Sequence, residues 1–167
     1  MHNTEKEIEK KFGGRVRVRV NGVLIEDGKI LLIRHQMSQD RYFWSVPGGG
    51  MEYGTDAASN LKREFQEETG LEVEVGDFLF IHEYLNPPLH AVELFFDVRK
   101  VKGNLRLGTD PELADDRQIL THLGYFSFEQ LTKVPNFEKH RLFWELNSFN
   151  DIRMWKGYFN FENNCIK

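Results

Sequence analysis

Gly49-Gly50-Met51-Glu52-Tyr53-Gly54-Thr55-Asp56-Ala57-Ala58-Ser59-Asn60-Leu61-Lys62-Arg63-Glu64-Phe65-Gln66-Glu67-Glu68-Thr69-Gly70-Leu71 decides the reading of this chain. The stretch predicts a helix over Asp56–Thr69 that follows a glycine-rich loop. Thr55 is expected to N-cap the helix, Asp56 to favour its positive end, and Gly70 to take the left-handed conformation that ends it. At about 100° per residue, Glu67 lies roughly 60° to one side of Glu64 and Glu68 roughly 40° to the other. Three carboxylates therefore share one face. Ala58, Leu61 and Phe65 form an adjoining apolar face, which is expected to pack on a sheet.

Carboxylates crowded in this way repel one another, and a divalent cation removes the repulsion. Hard Mg²⁺ prefers oxygen ligands, keeps several waters and is often shared with substrate phosphates. Such a site acidifies a bound water and neutralises charge on a phosphoryl group. The open backbone of Gly48-Gly49-Gly50, near the positive helix terminus, can face phosphate. Taken alone, Glu67-Glu68 reads as a solvated acidic face and the glycines as a plain turn. The combination of the two is what points to a site.

Outward from this stretch, Arg15–Glu26 and Lys29–His35 are β-rich runs joined by Asp27-Gly28, which predicts a hairpin with a primed turn. Met37–Tyr42 reads as a polar loop and Phe43–Val46 as a short strand. Pro47 and the three glycines end that strand in a loop. Strands are expected at about Glu72–Tyr84 and Ala91–Lys100, joined through Asn86-Pro87-Pro88, and again at Ile119–Phe126. Gly103–Asp116 reads as a loop. Phe128–Thr132 and Phe137–Phe149 read as helices. The order implies an α+β or α/β layered domain with a mixed β-sheet. The expected organisation is an N-terminal arm (1–14), one domain (15–150) and a C-terminal extension packing on it (151–167).

The 167 residues suit one domain with a sizeable core. A formal charge of −4 gives no electrostatic help toward a nucleic-acid polymer, so a small substrate is the expected partner. The one cysteine, Cys165, excludes an internal disulfide framework and a multi-cysteine zinc site. A reducing, cytoplasmic setting is the expectation. Met1–Phe12 lacks the apolar core of a secretory signal, and no apolar stretch is long enough to span a membrane. The six histidines show no metal-ligand spacing and are expected at the surface or in loops.

The combination resembles the Nudix box, the signature of the Nudix hydrolases. Gly49, Arg63, Glu64, Phe65, Glu67, Glu68, Gly70 and Leu71 all fall in its register. Trp44-Ser45-Val46-Pro47-Gly48-Gly49 is similar to the strand and turn that lead into the box. Tyr125–Leu131 is similar to the family's closing strand and helix. One position departs: Thr55 stands where the pattern has its first Glu. In family members that acid assists the metal site or braces the loop, and Glu52 is the nearest substitute.

The resemblance implies an α/β/α sandwich and a pyrophosphohydrolase that cleaves a diphosphate bond in a nucleoside diphosphate derivative. Glu64, Glu67 and Glu68 would bind Mg²⁺ or Mn²⁺, with Arg63 orienting a carboxylate by a bidentate pair. Of the acids Glu112, Asp115 and Asp116 on the later loop, Glu112 is the chosen general base. Gly49, Gly50, Trp44 and Pro87 are the chosen substrate contacts, with Phe43, Phe80 and Tyr84 as further stacking candidates. Pro87 lies about sixteen residues past the box, where the family's ADP-ribose-like hydrolases carry a proline. The substrate is thus expected to be a nucleotide sugar such as ADP-ribose or a nucleoside triphosphate. A homodimer is a further expectation. The competing reading is a catalytically weak Nudix-like nucleotide sensor. The intact glutamates, and too little chain after the domain for a winged helix, speak against it.

Overall fold

In the computed structural model, residues 4–111, 113 and 118–160 are described. Asp27 and Gly28 have positive φ, 49° and 72°, as a primed two-residue turn requires. They join β1 (Val16–Glu26) to β2 (Lys29–Ser38), with Ile25 opposite Ile30 and Glu26 opposite Lys29. Away from the turn the two strands take different partners. β1 runs parallel to β6 (Leu89–Lys102), from Val16 opposite His90 to Leu24 opposite Val98. β2 lies antiparallel to β3 (Arg41–Ser45) on one side and to β7 (Leu120–Ser127) on the other. β4 (Gly48–Gly50) adds to β1. β5 (Glu72–Asn86) pairs with β6 and takes β8 (Gly157–Phe159) in parallel on its outer edge. The resulting order is β3-β2-β1-β6-β5-β8, a mixed sheet as expected.

Ile30, Leu31, Leu32 and Ile33 are all fully buried, the continuous apolar run of a strand covered on both faces. Alternate side chains divide between two cores. Val20, Leu24 and Leu31 pack with Leu61 and Phe65 of helix α2 (Ala57–Thr69). Val23, Ile30 and Leu32 face the other way, into a cluster with Phe80, Phe95, Leu142 and Ile152. The sheet is therefore sandwiched between α2 and the C-terminal segment. A Cβ at Gly22 would stand 2.4 Å from the Phe65 ring, so its absence lets α2 settle on β1. Burying Phe65 completely stabilises this contact by about 2–3 kcal/mol.

Three segments differ from expectation. Met37–Tyr42 is the β2–β3 hairpin rather than a loop throughout, its polar residues Gln39 and Asp40 forming the exposed turn. Gly48–Gly50 is a strand rather than a turn. Phe137–Phe149 is not one helix: two 3₁₀ turns, Asn136–Glu138 and Arg141–Phe143, precede a short helix at Phe149–Met154. Edge strand β3 captures the backbone between the turns, where Lys139 bridges Trp44 and the His140 N–H donates to the Trp44 carbonyl at 2.9 Å. These pairings compete with helical ones. Trp155 and Phe159 then pack edge-on against Phe80, at 5.4 and 5.5 Å between centroids. At the other end α1 (Thr4–Phe12) leads to Gly14, whose N–H donates to the Pro88 carbonyl. Among the described residues, no helix is long and apolar enough to cross a membrane.

Candidate active site

Helix α2 is capped by Asp56, not by Thr55. The Asp56 carboxylate accepts from the Ser59 N–H at 3.0 Å and the Ser59 hydroxyl at 2.7 Å, and a carboxylate suits the positive helix end better than a hydroxyl. Thr55 is exposed. The loop ahead of the helix is braced by Asn60, which is fully buried. Its amide nitrogen donates to the Thr55 and Asp56 carbonyls at 3.1 and 2.8 Å, and its oxygen accepts from the Glu52 N–H at 2.9 Å. Gly70, at φ 70°, ends the helix as expected.

One turn further on, Arg63 divides its guanidinium between two carboxylates instead of gripping one bidentately. Nη1 donates to Glu67 at 2.8 Å and Nη2 to Glu64 at 2.9 Å. Glu52 stands 3.6 Å away and ion-pairs with Arg63. Glu68 accepts from the Gly48 N–H at 3.0 Å. Gly48 has φ 155°, and a Cβ there would meet the Val20 carbonyl oxygen at 2.1 Å. Only glycine brings this N–H so close to β1 and so within reach of α2.

Glu64 and Glu68 are both buried. Burial pushes the Glu64 carboxyl up to about 7, with Arg63 and Arg19 opposing and Glu67 and Asp110 adding to the rise. Glu68 is raised well above its ordinary value, chiefly by burial and then by Glu64. Two such groups are short of positive charge. Their hard oxygen donors, flanked by Glu67, fit a divalent metal ion.

A cavity of about 320 Å³ opens beside these carboxylates. Glu64, Glu68, Gly49 and Gly50 line it together with Arg17, Arg19 and Arg41 from the neighbouring strands. Tyr42, Phe43 and Tyr84 contribute rings, as do Phe137 and Trp144 from the 3₁₀ turns. Glu67 lies on the flank held by Arg63. Trp44 is not a cavity residue. It is 8% exposed and packs at 4.6 Å from Phe126 in the core. Phe80 is likewise core, stacked on Phe95. Pro87 is exposed at the β5–β6 turn, with its neighbours Asn86 and Leu89 on the cavity wall.

Glu112, Asp115 and Asp116 lie outside the described residues, as does Cys165. Among the described residues of this loop, Asp110 lines the cavity and acts electrostatically on Glu64 and Glu68. Gln118 clamps its backbone: the Asp110 N–H donates to Gln118 Oε1 at 2.6 Å, and Gln118 Nε2 donates to the Asp110 carbonyl at 2.9 Å. The expectation of surface histidines fails at His82 and His140. Both are buried and converge on Glu93. Alternating strand burial offered a signal for His82, since Phe80 and His82 share a face.

The NUDIX domain family model matches residues 15–144. The chain is 31% identical over 142 residues to the ADP-ribose pyrophosphatase of Methanocaldococcus jannaschii, covering 84% of this chain and 75% of the relative. It is 34% identical over 65 residues to the CTP pyrophosphohydrolase of Escherichia coli, covering 38% and 48% respectively. The solved structure of an ADP-ribose pyrophosphatase from Streptococcus suis superposes with a TM-score of 0.60 at 18% identity, covering 86% of this chain and 98% of that one. With its carboxylate-bearing helix, glycine strand and mixed sheet, the chain belongs to the Nudix family and is a pyrophosphohydrolase.

Proposed function

We propose that this enzyme hydrolyses the diphosphate linkage of a nucleoside diphosphate sugar of the ADP-ribose type, with Mg²⁺ or Mn²⁺ held by Glu64, Glu67 and Glu68. The observation that carries the reading is the make-up of one cavity, in which buried carboxylates, guanidinium groups and aromatic rings all share the wall. Arginines match phosphate oxygens by planar paired donors. The rings of Tyr42, Phe137 and Trp144 offer stacking surfaces to a base. When bound, the metal supplies Lewis-acid chemistry, acidifying a water and neutralising phosphoryl charge. The chain's own residues do the positioning: Gly48 holds Glu68, Arg63 holds Glu64 and Glu67, and Asp110, on the cavity wall, accepts a proton from the attacking water. The 31% identity to an ADP-ribose pyrophosphatase supports the sugar substrate. The shorter match to a CTP pyrophosphohydrolase supports a nucleoside triphosphate as the second reading.

A panel of nucleoside diphosphate sugars, dinucleotides and nucleoside triphosphates, incubated with protein and Mg²⁺, tests this directly. ADP-ribose is expected to yield AMP and a sugar phosphate without pyrophosphate, whereas triphosphate cleavage yields pyrophosphate. Absence of product from every compound would overturn the proposal and favour a nucleotide sensor.

A further inference from the structure

Glu93 on β6 lines the cavity and is 8% exposed. One of its oxygens is saturated: Oε2 lies 2.7 Å from His82 Nδ1 and 2.8 Å from His140 Nε2. The other, Oε1, faces Arg19 at 3.8 Å and accepts no hydrogen bond from the described residues. The three side chains have the make-up of a metal site, with ligand atoms within 4.8 Å of one another. The protons argue otherwise. His140 Nδ1 accepts from the Leu142 N–H at 3.1 Å, which places the imidazole proton on Nε2, pointing at Glu93. A metal at that nitrogen would need the proton on Nδ1, against another N–H. His82 must likewise donate through Nδ1, because a carboxylate only accepts. Burial would raise the Glu93 carboxyl, but His140 and His82 outweigh it and hold the group well below the usual carboxylate range.

We propose that Glu93 is a specificity-determining residue, whose Oε1 accepts a hydrogen bond from a donor on the nucleoside of the substrate. The donor is an exocyclic amino group of the base or a sugar hydroxyl. Glu93 stands beside Arg19, and Arg19 in turn acts on Glu64 and Glu68 and donates to the Gly48 carbonyl at 3.3 Å. Glu93 therefore borders the part of the cavity next to the phosphates. The two histidines make the acceptor character testable. In Glu93→Gln, the donors of His82 and His140 hold the amide oxygen on their side, so the amide NH₂ turns to the cavity. The substitution keeps the shape and both internal hydrogen bonds, and converts an acceptor into a donor.

The inference rests on a nucleoside diphosphate derivative occupying the cavity. The test is steady-state kinetics with Mg²⁺ for the wild type, Glu93→Gln and Glu93→Ala. The substrates are ADP-ribose, its hypoxanthine counterpart and ADP-ribose lacking ribose hydroxyls. If the donor is the amino group, the wild type prefers the adenine compound. Glu93→Gln then shifts the ratio of kcat/KM toward hypoxanthine, which presents an acceptor, by about tenfold or more. If the donor is a hydroxyl, the base ratio stays constant. A hydroxyl can turn to accept, so Glu93→Gln keeps the preference for the hydroxylated substrate and Glu93→Ala loses it. Variants that lower kcat/KM by one common factor on all substrates would overturn the inference, leaving Glu93 a purely structural group. A wild type inactive on every compound would overturn the underlying substrate reading itself.

Discussion

Gly49 lies directly against the carboxylate of Glu64: a methyl group added to its α-carbon would stand 2.2 Å from Glu64 Oε1 and 2.3 Å from Cδ. The glycine at the head of the family signature and the glutamate fifteen residues later are thus two parts of one contact. The atoms a methyl would meet are the far end of a flexible side chain, which can swing aside at little cost to the fold. Gly49→Ala is therefore expected to leave the melting temperature nearly unchanged while lowering kcat/KM by about tenfold or more, because a displaced carboxylate no longer holds its productive position. Wild-type kcat/KM in a folded Gly49→Ala protein would show that Glu64 is not needed where it stands.

Stability and pH are linked through the same carboxyl. Glu64 rises from an ordinary 4.5 to about 7 on folding, so between those values the folded protein holds a proton that the unfolded chain has released. Its contribution to stability is full below about pH 4.5 and is lost as pH rises through about 7. Glu68, also raised, extends the loss upward. Glu93, which is lowered, acts oppositely and outside this window, its contribution being lost as pH falls below its ordinary range. His35, which burial lowers to about 4, opposes Glu64 up to its ordinary 6.5. Thermal melts of metal-free protein should therefore fall from about pH 6.5 to about pH 7.5, and the stabilisation by added Mg²⁺ should grow over that range. A magnesium effect that shrinks with rising pH would contradict the assignment.

Asn60 ties the Glu52–Asp56 loop to α2 through three backbone contacts. Asn60→Ala removes three part-buried hydrogen bonds to the loop backbone and is expected to cost about 1–3 kcal/mol. Thr55→Ala, at an exposed position, should change stability by less than about 0.5 kcal/mol. Equal effects in denaturant titrations of the two variants would place the loop's support elsewhere.

Much of this architecture is legible in the sequence. The Asp27-Gly28 hairpin, the α2 boundaries to within a residue and the shared face of Glu64 and Glu68 follow from local backbone chemistry and helical period. What escaped depends on contacts between distant segments. Trp44 reads as a stacking residue until the C-terminal turns and Phe126 bury it. Residues 137–149 have helical composition, yet an edge strand claims the backbone at Lys139 and His140. Glu93 gains its character from His82, eleven residues away, and His140, forty-seven away, a convergence no local pattern encodes.

The most direct test of the account is kcat for Glu68→Gln in the presence of Mg²⁺. The glutamine can still accept from the Gly48 N–H, so the fold is expected to survive, as circular dichroism can verify. With the charge gone from the buried carboxylate cluster, turnover should fall by about a hundredfold or more. A folded Glu68→Gln protein with wild-type kcat would contradict the claim that these glutamates build the centre that cleaves the diphosphate.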